Sequence, residues 1–448
     1  NVLLPTLVVE LRMPEASSIW PSTAFSLAVT STLLIFGRLA DMFGACILYV
    51  AGIAWVAVSS IVLSFSKSWL MLVIFRALQG LALGALLPSG VMLLGSIYRP
   101  GPRKNIVFSI YGACAALGFY IGIFFSGLCG QLLGWRWYFY IGTILAGITL
   151  VSSYFSIPND YAEKRKFGPQ MDWLGAACLV SGLVLISFAI VDSSQAPHQW
   201  RTPYISVCFV LGVVILGVAV YVEGWVAEAP LLPPSLFAVP YMKPLILSMF
   251  FLYGCLGIFL LYGALYMENI MGADPLQVVA WTSPMAAGGI IISVVGGLVL
   301  HMVSGTLLMI TSCLGFMGSG ILFALIPIGG NYWTFVFPAM ICATIGIDIS
   351  FNITNIFITT NVSTKQQGVA GALINCTLHL GITLMLGFAD IIQTNTSNRG
   401  LSSSYKVVFW FQFGLSTFAL MIIIIFVKIH RAKSDLTVDE RRQQGLGE

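Results

Sequence analysis

Three groups of residues place polar chemistry inside apolar runs. Arg76 follows Ile74 and Phe75 and precedes the run Leu81 to Leu87, with Gln79 and Gly80 three and four positions on. In a helix those offsets share a face. A guanidinium in such a setting must find carbonyls, amides or carboxylates. It can brace helices through backbone carbonyls or take part in moving charge, and its position leaves both open. Next comes a polar stripe. Thr344, Asp348, Asn352, Asn355 and Thr359 are spaced 4, 4, 3 and 4 in a stretch otherwise rich in Ile, Phe, Val and Ala. At about 100° per residue they fall within an arc of about 80°. Asp348 is therefore a candidate to bind a cation or a proton, with a permanent Asp–Arg or Asp–Asn brace as the alternative. The third group is Asn375, His379, Thr383 and Asp390, spaced 4, 4 and 7 on one face. An imidazole changes charge near neutral pH, so His379 can handle protons; the plainer role is a hydrogen-bonded core histidine. Asp390, near the end of its run, is expected to be solvated. No second His or Cys accompanies His379 at ligand spacing, so no metal site is expected.

The elements that carry these groups follow from composition. Of 448 residues, 58% are hydrophobic and 8% charged, against about 25% charged in ordinary soluble domains. The mean hydropathy is +0.94. A soluble fold of this size has nowhere to hide that much apolar surface; a bilayer removes the difficulty. A spanning helix needs about 20 mostly apolar residues. Breaks at Pro, Gly and charge clusters divide the chain into one partial span, 1–9, and thirteen full ones. These are 19–37, 45–65, 69–95, 105–128, 136–157, 173–191, 204–222, 243–267, 278–301, 304–328, 332–360, 368–392 and 405–428. The runs are too long and too continuous for barrel strands. The fold class is all-α integral membrane. Residue 1 lies partway along a helix, so the natural chain is expected to begin earlier.

Lys and Arg orient the spans. With the N-terminus inside, fourteen basic residues fall on the inner side, Arg38, Arg99, Arg103 and Lys164–Lys166 among them, and six on the outer side. The C-terminus is then also inside. The charged segment 158–172 becomes an inner linker after six helices. Two helices and a Pro-rich stretch (Pro230, Pro233, Pro234, Pro240, Pro244) follow, and then six more helices. The expected units are 1–157, 158–242, 243–428 and a tail 429–448. Gly37-Arg38-Leu39-Ala40-Asp41-Met42 and Gly297-Leu298-Val299-Leu300-His301-Met302 occupy matching places in the two six-helix units, as a duplicated unit requires.

Several classes are disfavoured. The net charge of +4 is scattered over loop ends, with no patch for nucleic acid. No GxxxxGK[ST] phosphate loop, metal cluster or Ser-His-Asp spacing is present, so neither ATP drive nor enzymatic catalysis is expected. A channel would need a filter-like repeat. All nine cysteines lie in apolar segments, which predicts free thiols.

A family resemblance adds to this reading. NVLLPTL at 1–7, GRLADMFG at 37–44, FRALQGLALGALLPSG at 75–90, GACAALGFYIG at 112–122, GWRWYFYIG at 134–142 and MDWLG at 171–175 carry it. Together they resemble the major facilitator superfamily, within it the fourteen-helix drug:proton antiporter family in its fungal aminotriazole-resistance-like branch. The resemblance implies two six-helix bundles with two linker helices, and alternating access around a central cavity. It implies that the fourth helix of each half lines that cavity, and that Arg76 serves proton coupling; Asp348 and His379 join it as coupling candidates on their own spacing and chemistry, and the family often has Gln where His379 stands. It implies an inner-loop gating motif of Gly37, Arg38, Asp41 and Gly44, and an antiporter and packing motif of Gly118 and Gly122. Met42 and Ala45 stand where the family usually has basic residues, and Ile123 where it has Pro. The acidic residue common in the family's helix 1 would precede residue 1.

The cavity is expected to include Gln79, Thr344, Asn352, Asn355, Asn375, Phe119, Tyr120, Tyr253 and Tyr262, with core packing or lipid contact as the alternative for the aromatics. Gly80 with Gly84 and Gly118 with Gly122 are pairs that allow close helix contact. Pro88, Pro284 and Pro338 are expected to kink spans, and Trp20, Trp135 and Trp137 to form an interfacial belt. Of the sequons at Asn352, Asn361, Asn375 and Asn395, only Asn395 falls on an outer loop open to glycosylation. The expected activity is outward movement of a small molecule in exchange for protons, with no cofactor beyond the proton gradient. Uptake or vacuolar loading of a polar solute, and a non-transporting receptor, are the alternatives. The expected setting is a monomer in the plasma membrane, or next in a vacuolar membrane.

Overall fold

A peptide group in hydrocarbon has no water to bond, so its partner must lie along its own helix. The long apolar runs accordingly wind into helices. The computed structural model describes residues 3–14, 20–97, 102–157, 171–194, 196, 198–227, 230–299, 303–327, 329–362 and 367–429. Its principal helices are α1 (Leu4–Glu10), α2 (Trp20–Phe43), α3 (Ala45–Ser64), α4 (Trp69–Ile97), α5 (Pro102–Leu128), α6 (Arg136–Ser156) and α7 (Trp173–Ser193). They continue with α8 (Pro203–Tyr221), α9 (Met242–Asn269), α10 (Pro275–Val299), α11 (Gly305–Ala324), α12 (Phe337–Asn361), α13 (Gln367–Thr396) and α14 (Leu401–Phe426). Thirteen helices among the described residues are long and apolar enough to cross a bilayer; α1 has only seven residues. All nine cysteines are free. The helices alternate in direction, so one end of the bundle holds Gly44 and Met242 and the other holds Trp20 and Asn269; these are the Gly44 end and the Trp20 end below.

An expectation about a helix limit changes. The segment from Gly37 to Phe43 is the last part of α2 and not a loop; Gly44 alone separates α2 from α3. Its amide still bonds the Ala40 carbonyl (3.0 Å), and its φ is +94°. Only glycine turns there without strain. Charge at a membrane face ends the apolar run without ending the helix, which is why hydropathy places the boundary too early. Pro338 lies within the candidate span Tyr332–Asn355, near its start. It sits in the first turn of α12, where its missing N–H is harmless, after a π-helical turn Tyr332–Val336. Pro88 and Pro284 are interior, in α4 and α10. Arg99, Lys164–Lys166 and Leu300–Met302 lie outside the described residues.

The half formed by α9–α14 has the larger core. One part gathers Leu245, Tyr253, Phe316, Ile353 and Leu373; another gathers Phe259, Tyr262, Tyr266, Phe323 and Phe409. In the first half a smaller cluster joins Leu3, Leu7, Leu63, Leu72, Trp135 and Phe139. Trp135 is thus core and not belt: it is 1% exposed, and its indole N–H donates to Glu10 Oε2 (2.8 Å). Trp137 is half exposed. Outer faces of α6 and α8 carry exposed Ile144, Ile148, Phe155, Val207 and Val214, a surface made for lipid.

The two glycine pairs differ. A Cβ on Gly80 would strike the Phe25 carbonyl and the Ala28 methyl (2.9 Å), and one on Gly84 would lie 2.6 Å from Thr32 Oγ1. These glycines let α4 lie against α2. A Cβ on Gly118 or Gly122 would meet nothing within 4 Å. The packing expected of that pair is absent, because the face of α5 that holds it looks into open space.

The halves meet along two seams. Toward the Gly44 end α2 lies on α13: Cys376 Sγ is 3.4 Å from the Thr30 carbonyl, and Ala372 Cβ would be 3.4 Å from a Cβ on Gly37. Toward the Trp20 end α5 lies on α10. Tyr120 there donates to the Val279 carbonyl (3.5 Å), and the Leu276 amide donates to Gln131 Oε1 (3.2 Å). Helix α7 packs against both α2 and α13.

Candidate functional site

The Arg76 site is built by α2, α3 and α4. Arg76 Nε donates to the Pro21 carbonyl (3.3 Å), and one terminal nitrogen donates to Gln79 Oε1 (3.0 Å). Gln79 Nε2 donates in turn to Ser60 Oγ (2.9 Å). The guanidinium also stands 4.9 Å from the centre of the Phe25 ring, a favourable cation–π distance. Ser60, Pro21 and Phe25 escape sequence reasoning, since each lies on a different helix from Arg76. Among the described residues no carboxylate pairs with Arg76. Its site is not central: Arg76 is seven residues from Trp69, about 10 Å along the helix from the Trp20 end.

The other polar groups lie deeper, in the second half. Asp348 is thirteen residues from Asn361, His379 twelve from Gln367, and Tyr253 eleven from Met242. At 1.5 Å per residue all three stand about 16–20 Å from the Gly44 end. They come from three helices, α12, α13 and α9, and share one property. Asp348 is half-buried and has no hydrogen-bond or ion partner among the described residues. His379 Nδ1 and Tyr253 Oη are buried without a partner. Buried polar atoms are nearly always satisfied, so unpaired ones call for an explanation.

The remaining candidates divide. Asn352 faces the other half: its Oδ1 would be 3.8 Å from a Cβ on Gly112 of α5. Asn355 Nδ2 donates to the Phe351 carbonyl (2.9 Å) and Asn375 Nδ2 to the Gly371 carbonyl (3.0 Å). Thr344 is 1% exposed; its hydroxyl bonds the Met340 carbonyl (2.8 Å) and its methyl abuts Gly288 of α10. Thr344 is therefore packing between helices, not cavity wall, as a short β-branched side chain at a tight crossing tends to be. The side chain of Thr359 lies outside the described residues. Tyr253 and Tyr262 are 0% and 3% exposed and belong to the core; Tyr262 stands edge-on to Tyr405, with centroids 5.7 Å apart. Phe119 is 48% exposed.

Two outlying predictions are corrected. Asp390 is 7% exposed and not solvated; it accepts a hydrogen bond from Ser194, because α7 covers it. Asn395 lies in the last turn of α13 and not in a loop, exposed, with its Oδ1 accepting from Gln199 Nε2 (3.0 Å). The hydropathy minimum near 395 ends the span earlier than the backbone ends the helix. At the Gly44 end, Arg38 lies near enough to Glu223 for their charges to interact. Glu223 belongs to the π-helical turn Val222–Val226 after α8 and holds the Leu232 amide (3.2 Å). Among the described residues no cluster of three or more His, Cys, Asp or Glu forms a metal site.

The family profile of the Major Facilitator Superfamily matches residues 1–386. The chain belongs to this superfamily. Relatives extend along almost its whole length. It is 31% identical to the Aminotriazole resistance protein of Saccharomyces cerevisiae, over 94% of this chain and 80% of that one. It is 31% identical to the Low affinity ammonium transporter of the same yeast, over 94% and 83%. It is 30% identical to the Efflux pump terJ of Aspergillus terreus, over 93% and 81%. The protein is thus an integral, multi-pass membrane transporter of small molecules and not an enzyme. In this superfamily member the polar groups inside the spans stand on helices of both halves.

Proposed function

We propose that this transporter exports a small molecule in exchange for protons by alternating access of its two halves, with the Gly44 end facing the cytoplasm. The observation that carries the reading is the mid-depth set in the second half. Asp348, His379 Nδ1 and Tyr253 Oη offer a carboxylate, a ring nitrogen and a hydroxyl that no group among the described residues uses. Unused bonding capacity at the centre of a bilayer is costly, and a transported ligand or proton supplies the missing partner. The efflux pump and the resistance protein among the relatives support outward movement. Asp348 binds the proton, Arg76 holds α2, α3 and α4 in register, and Asn352 contributes from the wall nearest α5.

The drive needs no cofactor beyond the gradient. A proton moving inward through 100 mV releases about 2.3 kcal/mol, and each pH unit adds about 1.4 kcal/mol. One coupled proton thus sustains roughly a few-hundred-fold substrate gradient. The protein acts as a monomer in a plasma membrane, with a vacuolar membrane the second choice. The ammonium transporter among the relatives favours one other reading, proton-coupled uptake of a small polar solute.

The test is proton flux in proteoliposomes under an imposed pH gradient, with drug-like cations, azoles, ammonium and small polar solutes added in turn. Substrate-dependent collapse of the gradient, with substrate moving against the proton, is the expected result. Substrate moving with the proton would replace export by uptake, and no response to any compound would count against proton coupling.

A further inference from the structure

Helix α7 belongs to neither six-helix half, yet it touches both. On one side Phe188 packs on Trp20 of α2, with centroids 5.6 Å apart. On the other, Ile190 and Val191 close on Gly387 of α13, where a Cβ would be 2.7 Å from Ile190 Cγ2. Just past the end of α7, Ser194 donates to Asp390 Oδ2. Both residues are buried, at 6% and 7% exposure. The Ser194 hydroxyl has a second acceptor in reach, the Val191 carbonyl of its own helix, at 3.1 Å. One proton therefore chooses between a bond to α13 and a bond within α7. A hydrogen bond to an ionised carboxylate is about twice as strong as one to a neutral oxygen, so charge on Asp390 favours the bond between helices.

We propose that Asp390 is a second proton-binding site, on the Trp20 side, and that a proton bound there frees Ser194 and loosens α7 from the second half. The proposal extends the proton-coupled reading above. Asp390 shares a face of α13 with His379, eleven residues and three turns away, so a site near one surface and a site at mid-depth lie on one line. At the level of Asp390, α9 brings Tyr262, close enough for the two to interact electrostatically. Behind Tyr262 stand Tyr405 of α14 and Glu268 of α9. From α7 come Ser194 and Asp192, whose carboxylate is held by the Tyr204 hydroxyl (2.8 Å). The start of α2, from Trp20 to Ala24, carries no titratable side chain. The tie from Gln199 to Asn395 lies further out and is exposed, where water competes for it.

The test measures the separation of the turn that follows α7 from the turn that follows α13. Spin labels at Arg201 and Arg399, both exposed positions, are placed in full-length protein whose native cysteines have been replaced. Distances are read in bilayers at acidic and alkaline pH. The parent should shift from a short distance at alkaline pH to a longer one at acidic pH. Asp390→Asn, a neutral isostere, should give the longer distance at both. Ser194→Ala should do the same while keeping the carboxylate. A parent distance that ignores pH, or an Asp390→Asn protein that still follows it, overturns the proposal. Asp348→Asn separates the two readings. It should lose gradient-driven flux yet keep the pH-dependent distance, and absence of flux in the parent beside an intact shift would count against export alone.

Discussion

Arg76 in the first half and the mid-depth groups Asp348, His379 and Tyr253 in the second meet their surroundings in opposite ways. In the first half Arg76 has its bonds made for it: the Pro21 carbonyl, the Gln79 amide and, through Gln79, Ser60. In the second half Asp348 has no bond partner among the described residues, and His379 Nδ1 and Tyr253 Oη are buried without one. A satisfied network rigidifies the elements that build it. An unsatisfied polar group raises the free energy of the fold, and a partner that bonds it lowers that free energy. Under the proposed function the first half is the frame and the second half the binding partner, and this contrast can be broken in four places.

The largest effect is expected at Asp348. Asp348→Asn should lower gradient-driven flux at least about 100-fold while leaving substrate exchange across the liposome membrane, since a neutral amide still bonds but no longer carries a proton. Unchanged dependence of flux on pH would remove Asp348 from the coupling role. Next, Arg76→Ala takes away two hydrogen bonds from a charged donor, each worth about 1.5–3 kcal/mol. The protein should reach the membrane, lose transport by about tenfold or more, and show a lower unfolding temperature in detergent. Normal transport with only lower stability would leave Arg76 purely a brace.

Smaller changes sharpen the comparison. Gly80→Ala forces a methyl against Ala28 and the Phe25 carbonyl, an overpacking that typically costs about 1–3 kcal/mol. Gly118→Ala faces open space and should be neutral or stabilising by about 0.5–1 kcal/mol, the helix-interior difference between Gly and Ala. Thermal unfolding of the two variants side by side measures this, and equal destabilisation would contradict the two environments. The smallest shift is expected from Tyr253→Phe, which removes an unpartnered hydroxyl. Stability should hold within about 0.5 kcal/mol, and any loss should appear in substrate affinity. A large loss of stability would mean that the hydroxyl is bonded within the protein.

Much of this was legible before any coordinates. Apolar run length alone decides where a chain crosses a bilayer, because each span must satisfy its own backbone and outlast the hydrocarbon thickness. The spans and the helical faces bearing Asp348 and His379 follow from that, since spacing along a helix fixes direction about its axis. What one helix cannot report is what stands opposite. That Gly80 meets Phe25 while Gly118 meets nothing, that Asp390 is covered by Ser194, and that Ser60 steadies Gln79 depend on residues 19 to 196 positions away in the chain. Helix ends were misplaced at Gly44 and Asn395 for a related reason. Hydropathy responds to where lipid stops, whereas a helix stops where its backbone hydrogen bonds do. Residue type and periodicity thus determined the elements and their polar faces; only the packing of α2, α4, α7 and α13 decided which of those faces found partners among the described residues and which did not.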